Sequence, residues 1–365
     1  QDFAGQGDLD GDGIDDLVVG GMRSSGTHAK NGTTFVLHGP VVEDADLLVD
    51  TGFSRIEGED PWDRAGYSVR VLGDFDGDGI DDLALGAPFH KESSAAANAG
   101  AVYLVTGGFA PGSTVDLGAA QARFDGTLAS ENVGQTVGSG DLNGDGQADL
   151  LVGVAASLTA GGAVRVIWGT EAPEGGVLAD EDGLEGDSAG LLFGRSVEGA
   201  GDVNGDGYGD LLVGATGFDT ADASDAGAVY LIHGDASGLS IATPADAPAI
   251  FVGGETDGHL GESVAAGDWD GDGKVDLLLG ADQAGPSGEG MAHLVVGGDL
   301  SGLLPVRDLA QAQLIGELTG DGFGSFVNFA DADNDGFEDL FVGADGNDAA
   351  GSDAGRAYLT FALGL

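Results

Sequence analysis

A short aspartate-rich loop, typified by "GDFDGDGIDDLALGAP" at residues 73–88, occurs six times along the 365-residue chain. Successive copies begin 61 to 67 residues apart. A regular period of this kind is typical of repeat architectures, in which each copy forms one supersecondary unit. We therefore expect one domain over residues 1–365, built from six repeats at roughly 1–58, 59–127, 128–187, 188–254, 255–317 and 318–365.

The segments between the Asp loops predict short β-strands. Each loop follows a glycine-bounded segment such as "GYSVRVLGD" and is followed by an apolar stretch such as "DLLVGA". Two further segments, such as "GAVYLIHG" and "ARFDGT", complete the repeat, and all four are rich in β-branched and aromatic residues. Four short antiparallel strands repeated radially are typical of a propeller blade. The sequence thus predicts an all-β fold, a β-propeller of about six four-stranded blades.

The Asp loops themselves predict calcium sites. Counted from its first Asp, each loop offers side-chain oxygens at positions 1, 3, 5 and 9 and a backbone carbonyl at position 7. Glycine at position 6, and also at position 4 in every loop but the last, lets the chain curl back. Such a flexible cage of oxygens suits Ca²⁺, a hard cation with six to eight ligands. An EF-hand would place Glu at position 12 between helices, whereas here position 9 is Asp and the flanks are strands.

We expect about six structural Ca²⁺ ions as cofactors. The alternative is six Asp-Gly hairpin turns that only solvate strand ends, and retention of the position-9 Asp in every copy argues against it. The predicted ligands are Asp8, Asp10, Asp12, Ile14 and Asp16; Asp74, Asp76, Asp78, Ile80 and Asp82; Asp141, Asn143, Asp145, Gln147 and Asp149; Asp202, Asn204, Asp206, Tyr208 and Asp210; Asp268, Asp270, Asp272, Lys274 and Asp276; and Asp331, Asp333, Asp335, Phe337 and Asp339.

Composition excludes several classes of function. The chain has 63 acidic and 12 basic residues, a formal net charge of −51, which disfavours a nucleic-acid partner. It has no apolar run of about 18 residues, so we expect no membrane insertion. The first residues enter the repeat at once without a signal-peptide pattern, and we interpret the sequence as the mature or trimmed form of a secreted protein.

Catalytic motifs are not evident in the sequence. The six His residues are scattered, cysteine is absent, and there is no H-E-x-x-H, G-x-S-x-G or P-loop pattern. We therefore predict no enzymatic activity and no catalytic residues. A carbohydrate-active enzyme of the lyase or hydrolase type, or its accessory domain, stays open as an alternative, because two of the many carboxylates could act as an acid–base pair.

"FGRSVEGAGDVNGDGYGDLLVGA" at residues 193–215 resembles the FG-GAP repeat of the integrin α-subunit propeller, and Phe323–Gly324 repeats the Phe-Gly pair. The resemblance covers essentially the whole chain. It implies seven blades, whereas six Asp loops are countable here, so we expect six blades with seven as the alternative. The last repeat ends after its third strand, and its open edge is a plausible docking point for a partner strand.

The resemblance also implies that calcium loops lie on one face and ligand-binding loops on the other. There, aromatic residues beside rare positive charges form a candidate ligand site: Trp62, Arg64, Phe89, His90 and Lys91. The alternative is ordinary loop variation, with Trp62 packed beneath its own loop. We predict an extracellular or cell-surface, calcium-stabilised adhesion propeller that recognises a protein or a glycan, consistent with millimolar extracellular calcium. A structural subunit of a surface or filament assembly is the other alternative.

Overall fold

Strands dominate the structure. It is a computed structural model of the chain and describes residues 3–25, 29–40, 53–91, 97–155, 161–333, 335–349 and 354–362. In these ranges the helical elements are one α-helix, α1 (Val306–Leu309), and three 3-10 turns, at Leu117–Ala119, Leu178–Asp180 and Pro244–Asp246. None of these helices is long and apolar enough to cross a membrane. The prediction of an all-β fold is confirmed.

The chain divides into two compact units. The first comprises Gln1–Ser139, Gly146–Leu158 and Arg165–Gly183, and the second comprises Gly140–Asp145, Thr159–Val164 and Leu184–Leu365. Parts of the predicted repeats, including 26–28, 92–96 and 363–365, lie outside the described residues.

The first three repeats contain fourteen strands in the described ranges, grouped as blades 1 to 3. Blade 1 consists of β1 (Phe3–Gly7), β2 (Asp16–Gly21), β3 (Thr33–Leu37) and β4 (Ser54–Glu57). Blade 2 consists of β5 (Val69–Gly73), β6 (Asp82–Ala87), β7 (Ala101–Val105) and, after the short strand β8 (Thr114–Asp116), β9 (Ala122–Asp125). Blade 3 consists of β10 (Thr136–Gly140), β11 (Asp149–Val154), β12 (Ala163–Ile167) and, after β13 (Gly176–Val177), β14 (Asp182–Glu185).

The other three repeats form blades 4 to 6. Blade 4 consists of β15 (Phe193–Gly201), β16 (Asp210–Ala215), β17 (Ala228–Ile232) and, after the hairpin β18 (Gly234–Asp235) and β19 (Gly238–Leu239), β20 (Ala249–Val252). Blade 5 consists of β21 (Leu260–Gly267), β22 (Asp276–Ala281), β23 (Met291–Val295) and, after β24 (Gly302–Pro305), β25 (Ala312–Ile315). Blade 6 consists of β26 (Phe323–Ala330), β27 (Asp339–Ala344) and β28 (Arg356–Thr360).

Consecutive blade strands pair antiparallel, as predicted. In blade 4, for example, β16 pairs with both β15 and β17, and β17 pairs with β20. In blade 6, β28 pairs with β27, and within the described ranges no strand pairs with the other edge of β28.

Three sheets carry a fifth strand that the sequence pattern did not predict. Short segments of a following repeat add in parallel to the fourth strand of the blade before it, as β8 does to β4, β13 to β9 and β24 to β20. These segments have only two to four residues, too few for a readable alternation of polar and apolar side chains. They fasten successive repeats together through backbone hydrogen bonds.

The second and third strands of most blades are deeply buried. Every residue of β6, β11, β16 and β22 is buried, which explains why these strands are continuous apolar runs instead of alternating patterns. Within the first unit, Val18 and Ile56 of blade 1 share a core cluster with Leu83 of blade 2. Within the second, Leu212 of blade 4 joins Leu277 of blade 5 in the same way.

The glycine of the second strand is required by close backbone approach. A Cβ atom on Gly86 would lie 2.0 Å from the carbonyl oxygen of Gly134, the glycine that begins the next repeat's first strand segment. Gly134 itself has φ +88°, a conformation that favours glycine. The same contact recurs between Gly214 and Gly261. The two glycines of the repeated motif therefore let neighbouring blades meet backbone to backbone.

Candidate metal centres and the opposite loop cluster

Each Asp loop is closed by its first carboxylate. In blade 1, Asp8 Oδ1 accepts hydrogen bonds from the N–H groups of Gly11 and Asp12, at 2.8 and 2.9 Å, and Oδ2 accepts from Gly13 at 2.8 Å. These bonds curl the loop so that the later side chains turn towards the first. Bonds of the same kind are made by Asp74, Asp141, Asp202, Asp268 and Asp331.

The position-9 Asp ties the loop to the third strand of its blade. Asp82 is fully buried, and its Oδ1 accepts from the N–H of Gly107, just after β7, at 2.9 Å. Its Oδ2 accepts from the N–H groups of Phe75 and Asp76 in the loop. The corresponding bond to the end of the third strand is made in the other blades by Asp16, Asp149, Asp210, Asp276 and Asp339.

Burial of these carboxylates disfavours their ionised form. Burial raises the pKa of Asp82 to about 6, and the charge of Asp76 adds to the rise. Burial likewise raises the pKa of Asp210 to about 6 and that of Asp276 above its usual range. A positive ion placed among these oxygens would stabilise the charged carboxylates that the loops bring together.

The loops gather oxygens closely enough for one cation. Carboxylate oxygens lie within 4.8 Å of one another in blade 2 (Asp74, Asp76, Asp82) and in blade 5 (Asp268, Asp270, Asp276). A further set in blade 1 consists of Asp8, Asp10 and Asp12. The buried Oδ1 of Asp268 has no hydrogen-bond partner. An unpaired buried oxygen among carboxylates fits a hard divalent cation, so these residues suit Ca²⁺.

The position-7 residues are those predicted to offer a backbone carbonyl oxygen to the metal ion. Their side chains also contact the neighbouring loop. The side chain of Ile80 lies beside Gly11 of the preceding loop, and Tyr208 lies beside Gly144 in the same way. The backbone makes a parallel connection, because the position-8 N–H donates to the position-1 carbonyl oxygen of the preceding loop. The bonds are Asp81 to Asp8, Ala148 to Asp74 and Gly209 to Asp141, at 3.2, 3.1 and 2.9 Å. Sequence reasoning missed these contacts because the partners are more than 60 residues apart.

At the other end of blade 2 lies a set of cations and aromatic rings. Antiparallel pairing of β5 with β6 places the Asp loop at one end of these strands and residues 58–68, 88–91 and 97–100 at the other. Trp62 is 52% exposed, with Lys30 Nζ 4.8 Å from its ring centroid. Arg64 Cζ lies 4.2 Å from the ring centroid of Phe89, and Lys91 is exposed. We call Lys30, Trp62, Arg64, Phe89 and Lys91 the blade-2 patch.

The backbone of Trp62 is in a conformation that costs energy for this residue type. Its φ is +77°, and its N–H donates to the carbonyl of Ala29. In the loops before blades 3, 5 and 6, Ser130, Asp257 and Gly320 make the same hydrogen bond with positive φ. Those residue types tolerate the left-handed region better than tryptophan does. Blade 2 thus keeps a large aromatic residue where the fold prefers a small or polar one.

His90 lies beneath this surface. It is 2% exposed, and its Nδ1 lies 2.8 Å from Oδ2 of Asp63. Burial acts to lower the pKa of His90, but the hydrogen bond and charge of Asp63 outweigh it and raise that pKa. In blade 6, Asn347 Nδ2 donates to Oδ2 of Asp321 at the corresponding place. The imidazole therefore holds the loop that carries Trp62 and Arg64, and a ligand at the surface would touch those residues first.

Comparison with known proteins agrees with a fold built from repeated blades. The profile of the FG-GAP repeat matches residues 65–105, 133–167, 193–232 and 260–295. Integrin alpha pat-2 of Caenorhabditis briggsae is 31% identical over 240 residues, 61% of this chain and 18% of that protein. Integrin alpha-IIb of Mus musculus is 36% identical over 171 residues, 45% of this chain and 16% of that protein. The chain thus spans less than a fifth of the integrins it matches.

Two further similarities extend along the chain. Human phosphatidylinositol-glycan-specific phospholipase D is 29% identical over 369 residues, 92% of this chain and 42% of that protein. Among solved structures, an exotype rhamnogalacturonan lyase aligns with 99% of this chain and 56% of its own, at 12% identity and a TM-score of 0.42.

The blades and their acidic loops define a β-propeller built from calcium-type Asp loops. The matched repeats and the integrin relatives describe it further: the chain contains four matched FG-GAP repeats and is similar to the propeller of the integrin α-subunits.

Proposed function

We propose that this chain is a calcium-stabilised, extracellular propeller of the adhesion type. The repeated acidic clusters support it, because buried carboxylates with raised pKa values are stabilised when a divalent cation neutralises them. Sites of this oxygen-rich kind fill readily at millimolar extracellular calcium. The ion acts structurally: it binds the folded loops and so raises the free energy of unfolding.

The ligand site is the blade-2 patch, at the loop end opposite the Asp loops. The observation that carries this proposal is Trp62, half exposed and held at a positive φ beside Lys30. A costly backbone conformation that keeps an exposed aromatic residue is typical of a binding site. Aromatic rings stack on sugar rings, and the cations Arg64 and Lys91 can pair with carboxylates, so the ligand is an acidic glycan or an acidic protein segment.

Binding to glycan and protein arrays in excess calcium tests the proposal. We expect the double variant Trp62→Ala/Arg64→Ala to lose binding at least about tenfold, since stacking and charge pairing each contribute on the order of 1 kcal/mol. Leu128→Ala is the matched control, because Leu128 is a 48%-exposed residue in the corresponding loop before blade 3. Equal binding by the double variant and the control would show that the ligand site lies elsewhere.

Two experiments separate this function from its rivals. Turnover of a polysaccharide or of a phosphatidylinositol-glycan by the purified chain, with or without calcium, would replace the binding role with an enzymatic one. The long match to a phospholipase is the reason to test the second substrate. Light scattering tests the alternative that the chain is a structural subunit of a surface or filament assembly. A monodisperse monomer is expected for a binding module, whereas filaments or large assemblies would favour the structural role.

A further inference from the structure

A histidine nitrogen lies beside the carboxylates of the blade-1 Asp loop, at a place where blade 2 has no histidine. His38 directly follows β3, and its Nδ1 lies 3.1 Å from Oδ2 of Asp10 and 3.3 Å from Oδ2 of Asp16. These are the loop's positions 3 and 9. The His38 side chain is 7% exposed, and those of Asp10 and Asp16 are 6% and 0% exposed. In blade 2, the residue at the place of His38 is Thr106.

The orientation of the imidazole is fixed from its other side. Nε2 lies 2.8 Å from Oγ of Ser54, whose hydroxyl donates to the carbonyl oxygen of Ala110. The ring of Phe109 packs edge-on against the imidazole. These contacts hold the ring so that Nδ1 faces the two carboxylates. With a metal ion on Nδ1, Nε2 would carry the ring proton and donate it to Ser54 Oγ, leaving the Ser54 hydroxyl free to donate to Ala110.

Three possible ligand atoms face one another in a buried place. Nδ1 of His38 has no hydrogen-bond partner of suitable geometry, although two carboxylate oxygens lie close to it. Either a proton on Nδ1 or a metal ion among the three atoms offsets the repulsion between the buried carboxylates, and the three atoms lie close enough to hold a metal ion. Separations of 3.1 and 3.3 Å match neighbouring ligands around an ion with bonds of about 2.0 to 2.2 Å.

We propose that the blade-1 loop is a mixed nitrogen–oxygen site for a borderline divalent metal ion of the Zn²⁺ class, with His38 Nδ1, Asp10 and Asp16 as its ligands. Imidazole binds Zn²⁺ and similar first-row ions well, whereas Ca²⁺ selects oxygen. Ser54 is the positioning residue, since a hydrogen bond to the second ring nitrogen fixes the orientation of a metal-binding histidine. The proposal extends the calcium-loop function, but it requires only that these three residues converge.

The test is a Zn²⁺ titration of the full chain in excess Ca²⁺, followed by NMR of the histidine ring nitrogens. The first equivalent of Zn²⁺ should shift Nδ1 of His38 and leave its Nε2 protonated. His38→Thr, which gives blade 1 the residue of blade 2, should lower Zn²⁺ affinity by about 100-fold, and Ser54→Ala should lower it by about 10-fold. Calcium-dependent stabilisation should persist in both variants.

Three outcomes would overturn the inference. They are an unshifted His38 Nδ1, a Zn²⁺ affinity unchanged by His38→Thr, or a His38 ring that stays protonated on both nitrogens with Zn²⁺ present. The last would make His38 a built-in cation that replaces a metal. If His38→Thr does not fold, the wild-type NMR titration still decides. Failure of the calcium proposal is distinguishable, because it would abolish the effect of Ca²⁺ on stability while the His38 signals still respond to Zn²⁺.

Discussion

Nδ1 of His90 lies 2.8 Å from Oδ2 of Asp63, and this pair closes the loop that presents Trp62 and Arg64. Oδ2 of Asp63 also accepts from the N–H of Asp60, so one carboxylate oxygen fixes the loop at two points. The patch is therefore held from below by buried polar groups. Its shape exists before any ligand binds, which reduces the ordering cost of recognition.

Substituting Trp62 by glycine should separate the effect of this residue on stability from its effect on ligand binding. Glycine adopts the positive φ of this position without strain, so we expect Trp62→Gly to leave stability unchanged or to raise it by about 1 kcal/mol. Ligand binding should fall at the same time because the exposed ring is gone. Ser130→Gly changes the corresponding residue of the next blade and should leave binding intact. Urea denaturation and array binding measure the two effects. A strongly destabilised Trp62→Gly variant would mean that the indole is a packing residue.

Asp82→Asn should remove much of the calcium response of blade 2. The amide has the size of the carboxylate but no charge, and its NH₂ group would face the backbone N–H donors of Gly107 or Phe75. We expect a loss of about 2 to 3 kcal/mol in calcium, and a smaller difference between calcium and EGTA than in the wild type. Asp15→Asn, which removes the charge of an exposed Asp at position 8 of the blade-1 loop, is the control. The prediction is contradicted if EGTA lowers the melting temperature of both variants by the same amount.

Gly86→Ala should unfold the region around blade 2. Its Cβ would lie 2.0 Å from the Gly134 carbonyl oxygen and 2.3 Å from Ser68 Oγ, and the backbone oxygen cannot move without displacing the next blade. We expect a loss of more than about 3 kcal/mol, or no soluble protein. Gly176→Ala is the matched control, because Gly176 is exposed, has no atom within 4 Å of the added Cβ and lies in a strand. Circular dichroism during denaturation measures both; two equally stable variants would refute the close-approach argument.

His293 should make the second unit sensitive to acid. Burial lowers the pKa of His293 to about 4, against about 6.5 in an unfolded chain. Above pH 6.5 the residue is neutral in both states. As pH falls from 6.5 towards 4, the unfolded chain binds a proton that the folded one does not, so the free energy of unfolding falls by up to about 3 kcal/mol.

The matched variant for this prediction is His293→Tyr. Tyr103, Tyr230 and Tyr358 occupy the corresponding strand position in blades 2, 4 and 6. His293, with Met291 and Arg307, lines a pocket of about 100 Å³ that offers room for the larger ring. We expect His293→Tyr to match the wild type at pH 7 and to be the more stable protein at pH 5. Equal slopes of stability against pH in the two proteins would show that another group causes the acid sensitivity.

The sequence carries the local features of this fold but not the contacts between repeats. The Asp loops and the four strands around each, such as β5 to β7 and β9, follow from turn residues and apolar runs within about 60 positions. The burial of His90 does not, because it depends on a carboxylate 27 residues earlier that only the folded loops bring near. Likewise the convergence of His38 on Asp10 and Asp16 requires the end of β3 to return to the loop before β2. No local pattern encodes such a distance.

The hydrogen bonds from Asp81 to Asp8, from Ala148 to Asp74 and from Gly209 to Asp141 join consecutive repeats through main-chain atoms of their Asp loops. Since every non-proline residue supplies these groups, the bonds do not depend on which side chains stand at these positions. A duplicated or exchanged repeat would form the same main-chain hydrogen bonds with the repeats on both sides. An array joined in this way can diversify its loops, as blade 1 and blade 2 have done, while its joints stay unchanged.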